Sequence, residues 1–107
     1  RTPDAEGEEA VHGTRAAWLA WSAAVDGGEI TVALAPADER TAGDPWFVRL
    51  ADYPSIGSSL AWDAPVVTTR EQPVVRRFTG LVADGRLTDA EVTRALAAEP
   101  ARPHRAP

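Results

Sequence analysis

Two carboxylates in the middle of the chain have the neighbours that sugar recognition uses. Asp52 is followed by Tyr53, and Asp63 is preceded by Trp62. An aromatic ring is a plate on which the C–H face of a sugar stacks, and an adjacent carboxylate accepts protons from its hydroxyls. A correctly spaced pair of carboxylates also serves glycoside hydrolysis or epimerisation as acid and base. The same residues have a plainer reading, because Asp favours turns and both sites adjoin strand ends. Arg49 offers a forked donor for a carboxylate or hydroxyl, or a structural ion pair with Asp52 or Asp63. Arg76 and Arg77 form either a solvated strand edge or the lip of a concave site. The candidate substrate-binding residues are therefore Arg49, Tyr53, Trp62, Asp63 and Arg77, and no residue is assigned a catalytic role.

Other chemistries are poorly supplied. The two histidines, His12 and His104, stand near opposite ends without ligands at useful spacing, so no metal site is expected. Cysteine is absent, which removes thiol nucleophiles and disulfides. Ser58 and Ser59 lack a nucleophile elbow and suit a strand edge or turn. No glycine-rich strand-to-helix turn is present, so no nucleotide cofactor is expected. A net charge of −5 argues against a nucleic-acid backbone as partner and, more weakly, against an anionic membrane surface. No apolar run approaches the ~20 residues of a membrane span, and the acidic first residues are not a signal peptide. The expected compartment is the cytoplasm.

The elements that must position these residues follow from alternation and punctuation. Residues 15–25 and 29–35 flank Asp26-Gly27-Gly28, the strongest short-range hairpin signal. Ile30, Val32 and Leu34 alternate with Thr31 and Ala33, the period of a half-buried strand. Trp18 and Trp21 differ in parity, so they face opposite sides. Residues 35–45, with Pro36, Gly43 and Pro45, read as a surface loop. Short strands are expected at 46–50 and 58–62, with Trp46 in the core, and a β-branched extended piece at 66–68. The last strand spans 74–83, where Gly80 marks a bulge or a bend and Arg76 and Arg77 suit an exposed side. Thr88 and Glu91 make a capping box for a helix running to Glu99, with Val92 and Leu96 on its apolar stripe, and Pro100 ends it. Many short strands joined by Pro/Gly turns predict a mainly β protein, an antiparallel β-sandwich with one short C-terminal α-helix.

Several segments resemble a known family in order and spacing. Asp44-Pro45-Trp46-Phe47-Val48-Arg49 precedes Asp52-Tyr53-Pro54-Ser55-Ile56-Gly57 and Leu60-Ala61-Trp62-Asp63. Val74-Val75-Arg76-Arg77-Phe78 and Val82-Ala83-Asp84-Gly85 follow, and Trp21-Ser22 with Val25-Asp26-Gly27-Gly28 fits the upstream hairpin. Across residues 15–97 the chain resembles the C-terminal part of a bacterial family called methane oxygenase PmoA-like, a domain of unknown function. The resemblance implies a galactose-mutarotase-like sandwich associated with sugar and glycoside metabolism, in proteins two to three times longer. The name is not taken literally, since a membrane oxygenase subunit needs spans this chain lacks. Many members carry a His- and Pro-rich segment before the Pro-Trp pair. Here residues 35–44 read APADERTAGD, without histidine, so no role of those histidines carries over.

Domain organisation and function are expected as follows. Residues 1–12 are a flexible acidic lead-in, 13–99 the sandwich, and 100–107 a disordered tail. The start at Arg1, with no methionine anywhere, suggests a portion of a larger protein. The absence of lysine beside eleven arginines matches the codon bias of a high-GC, actinobacterial-type genome. The function expected is a carbohydrate-related sandwich of unknown reaction, completed by an upstream segment or partner chain. The rival is a non-catalytic carbohydrate-binding or structural accessory module that pairs with another chain.

Overall fold

The computed structural model describes residues 1–98. The expected tail at 100–107, His104 and Glu99 lie outside the described residues. The chain forms α1 (Glu8–Val11), β1 (Leu19–Val25), β2 (Gly28–Pro36), α2 (Glu39–Ala42), β3 (Trp46–Arg49), β4 (Ser55–Ser58), β5 (Phe78–Asp84) and α3 (Asp89–Ala97). It is mainly β, all pairings are antiparallel, and the nine-residue α3 closes the described chain. The helices α1 and α2 are single turns of four residues.

Asp26 and Gly27 both take left-handed conformations, φ 46° and 83°, as the tight turn between β1 and β2 requires. That turn fixes the register, from Val25 opposite Gly28 to Leu19 opposite Leu34. β5 returns along β2, from Pro36 opposite Phe78 to Ile30 opposite Asp84, giving the order β1-β2-β5. β3 and β4 form a second, two-stranded sheet with Trp46 opposite Ser58.

Alternation gives the larger sheet two different faces. One carries Leu19, Trp21, Ile30, Val32, Leu34, Phe78 and Val82. The smaller sheet packs over only one end of it, where Val11, Leu19, Trp46 and Val48 form a buried cluster flanked by Leu34 and Ile56. The other face presents Ala20 and Ala33, small enough for α3 to approach. There Trp18, Val92, Leu81, Leu87 and Leu96 complete a second cluster. The result is a two-sheet, sandwich-like core with a helix on its outer side. Trp18 and Trp21 lie on opposite faces of the sheet, and Trp46 is buried at 3% exposure.

Several expectations need correction. Residues 1–12 are built into the domain and do not form a flexible lead-in. Val11 is fully buried, Glu8 Oε1 accepts from the Leu50 N–H at 2.6 Å, and His12 Nδ1 accepts from the Val48 N–H at 3.0 Å. These side chains cap the outer edge of β3, which its composition alone did not advertise. The strand expected at 58–62 lies instead at Ser55–Ser58, because the turn is closed earlier by Asp52 in a left-handed conformation, φ 62°. Residues 66–68 are exposed and join no sheet. The last strand starts at Phe78 rather than Val74, because Arg76 and Arg77 are drawn aside. Arg76 Nε donates to Asp44 at 2.6 Å, and the Arg77 N–H donates to Thr41 Oγ1 at 3.2 Å. The expected loop at 35–45 also holds α2, capped by Asp38, whose carboxylate accepts from the Thr41 N–H at 2.9 Å.

Candidate functional site

Trp62 stands at the rim of a groove because a glycine makes room for it. Gly13 has φ 84°, and a Cβ built there would lie 2.8 Å from Trp62 Cζ2. The indole thus rests on bare backbone. His12 meets it edge-on with ring centres 4.8 Å apart, and Phe47 meets His12 likewise at 5.2 Å. Trp62 remains 43% exposed. The Gly13 N–H donates to the Trp46 carbonyl and the Trp46 N–H to the Thr14 carbonyl, both at 2.8 Å, which ties this support to β3.

The groove beside Trp62 measures about 210 Å³ and is also lined by Asp63, Asp44, Arg15, Pro45 and Leu60. It holds an aromatic plate, two carboxylates and a guanidinium. The two carboxylates are not equivalent. Asp44 is engaged at 2.6 Å by Arg76 and its side chain is 12% exposed. Asp63 is exposed and makes no ion pair among the described residues. Arg15 Nε donates to the Gly43 carbonyl at 2.7 Å, which holds its guanidinium at the rim. A single free carboxylate beside an aromatic surface is equipped to bind a polyol. The second carboxylate of the groove, Asp44, is already engaged by Arg76.

The five sequence-derived candidates do not converge. Trp62 and Asp63 share the groove. Arg49 ends β3 with its Nε directed to the Ala51 carbonyl at 3.4 Å, and it pairs with neither Asp52 nor Asp63. Tyr53, 74% exposed, projects from the β3–β4 turn. Arg77 lines a separate depression with Asp38, Glu39, Arg40 and Val75. Among the described residues no group of three His, Asp or Glu side chains is placed to hold a metal ion.

One cleft gave no signal in the sequence. Between the sheets, a cavity of about 180 Å³ is lined by Trp21, Ser22, Ile56, Glu6, Arg1 and Arg86, among others. Its cations are already used. Arg1 donates to Asp89, Ser22 and the Leu87 carbonyl, and Arg86 Nε donates to Glu29 at 2.9 Å. These partners lie up to 88 positions apart in the chain, a separation no local motif reports.

Beyond this cleft the first face of the larger sheet is open. Val82 is 77% exposed and Phe78 40% exposed. No described helix is long and apolar enough to cross a membrane. A family model described as "Family of unknown function (DUF6807)" matches residues 1–97. Neither the curated proteins nor the solved structures give a match.

Proposed function

The chain belongs to this family of unknown function, and on that premise we propose that it is a carbohydrate-binding β-sandwich domain whose open sheet face is completed by another polypeptide segment or chain. The observation that carries the reading is the Trp62–Asp63 groove, where an indole fixed on Gly13 stands beside a free carboxylate. Stacking on the indole favours the C–H face of a pyranose, and Asp63 with Arg15 supplies hydroxyl partners of opposite sign. Because Asp44 is held by Arg76, the groove favours binding over hydrolysis, and the domain acts as a binding module within carbohydrate or glycoside metabolism. Kinship with the PmoA-like family and with galactose-mutarotase-like sandwiches is part of this proposal. It rests on the motifs from Asp44 to Gly85. A cytoplasmic site of action and an uncharged or acidic sugar as ligand complete it.

Thermal shift against a panel of mono- and disaccharides tests the reading, since a ligand bound only by the folded state raises the melting temperature. Trp62→Ala is expected to abolish the shift, and Asp63→Asn to weaken affinity about tenfold, the loss of one charge-assisted hydrogen bond. Absence of a shift with every sugar, or an unchanged shift in Trp62→Ala, would remove the carbohydrate assignment.

The second reading, a structural accessory module, is favoured by the uncovered apolar face of β2 and β5. It predicts no sugar response but retained association with a protein partner. Isothermal titration of the same sugars separates the two.

A further inference from the structure

The edges of the larger sheet are unequal. On β1, the edge is occupied at Ala20, which exchanges two hydrogen bonds of 2.8 Å with Arg1. On β5, Ala37 N–H donates to the Arg77 carbonyl and Gly85 N–H donates to the Glu29 carbonyl. Odd-numbered residues of β5 therefore turn their backbone groups toward β2. Antiparallel geometry then directs the N–H and C=O of Phe78, Gly80, Val82 and Asp84 outward. None of these outward groups has a backbone partner outside the sheet among the described residues.

This edge lacks the protections that soluble β proteins place on free strands. Its register with β2 is unbroken from Phe78 to Asp84, so no bulge twists it away. The strand, FTGLVAD, contains neither lysine nor proline, and its one charge, Asp84, stands at its end. The apolar side chains at its outward-paired positions, Phe78 and Val82, are the exposed ones.

The strand also complements itself. Two copies laid antiparallel about Gly80 place Phe78 opposite Val82 of the second copy. Gly80 then faces Gly80. An aromatic side chain opposite a β-branched one is a favourable cross-strand pair. In this register every outward backbone group from Phe78 to Val82 finds a partner. The pairing is isologous and consumes the open edge of each copy, so it closes as a dimer.

We infer that β5 is a dimerisation edge at which two copies of this chain join their sheets into one continuous six-stranded sheet, antiparallel about Gly80. Pairing at this edge extends the sheet and leaves its open face uncovered, so the inference stands apart from the reading that another polypeptide covers that face.

Light scattering after size exclusion, over about a hundredfold range of concentration, is expected to show a mass rising from 11.4 kDa toward twice that value. Val82→Lys is expected to weaken dimerisation at least tenfold, by setting a charge opposite Phe78, with an unchanged circular dichroism spectrum. The absence of native cysteine allows a register test that does not depend on that variant. Gly80→Cys places two thiols opposite each other, within the reach of a disulfide. Val82→Cys places them four residues out of step, about 13 Å apart and beyond that reach. Rapid oxidation to a covalent dimer in Gly80→Cys alone supports the inference. Equal cross-linking of both variants overturns it, as does a monomer at all concentrations. A monomer that binds the apolar dye ANS overturns the second copy but leaves the open-face reading standing. A monomer that binds no dye overturns both.

Discussion

Gly13 and Thr31 show how single residues set the fold and the groove. At Gly13 the φ of 84° excludes ordinary side chains, and the Trp62 ring occupies the space of a Cβ. Gly13→Ala is expected to destabilise the domain by about 1–3 kcal/mol, combining left-handed strain with displacement of the indole. Urea denaturation measures the loss, and the tryptophan emission of the folded variant reports the moved ring. Thr31 is fully buried and is the polar hub of the helix-side face. Its hydroxyl meets Ser22 Oγ at 2.8 Å, donates to the Gly85 carbonyl at 2.8 Å and accepts from the Leu87 N–H at 3.1 Å. Thr31→Val keeps the shape but orphans the part-buried Gly85 carbonyl and Leu87 N–H. It is expected to cost about 1–3 kcal/mol, seen as a lower urea midpoint at unchanged slope. The Thr31 alternation was legible in the sequence, whereas its partners 54 and 56 positions away were not.

Among the elements, α3 carries the most explicit local instructions. Thr88 Oγ1 accepts from the Glu91 N–H at 3.2 Å, and Glu91 Oε1 accepts from the Thr88 N–H at 3.0 Å. That second bond, a donor aimed at the ionised form, lowers the Glu91 carboxyl below its ordinary 4.5. A carboxyl lowered in the folded state adds stability above its unfolded value and loses it as pH falls through the folded value. The melting-temperature gap between the natural chain and Glu91→Gln is therefore expected to be constant above about pH 5 and to close below pH 4.5. A gap independent of pH would deny the capping box its electrostatic part. Thr88→Ala is expected to cost about 1 kcal/mol at neutral pH. The hairpin and this helix were readable because their signals lie within four residues. The limits of β4 and β5 were not, because Asp52, Thr41 and Asp44 decide them through turn conformation and side-chain capture.

At the scale of the whole molecule, residues 1–11 belong to the domain. They contribute Val11 to the core of the small sheet and cap β3 through Glu8. Their acidic, apolar-poor composition points to a solvated lead-in, yet one buried valine and a few side-chain acceptors anchor them. Removing residues 1–11 is expected to uncover Trp46 and Leu19 and to abolish the cooperative unfolding transition. The tryptophan emission of such a chain is expected to shift to the red. Cooperative melting within a few degrees of the full chain would show the segment to be dispensable. The arrangement also separates the five candidate residues. Trp62 and Asp63 adjoin in sequence and stay together, while Arg49, Tyr53 and Arg77 are carried to other surfaces by the β3–β4 turn and by the approach to β5.

The sequence by itself determined the β character, the Asp26-Gly27 hairpin, the burial of Trp46, and the Thr88 cap. Each follows from alternation, turn chemistry or capping within a few residues, where the chain has few alternatives. Tertiary structure alone decided that β5 pairs with β2, that residues 1–11 seal β3, that Asp44 is neutralised by Arg76, and that one sheet face stays open. Those outcomes depend on contacts across tens of residues. Their free energies come from burial and partner geometry, which no short stretch of sequence contains.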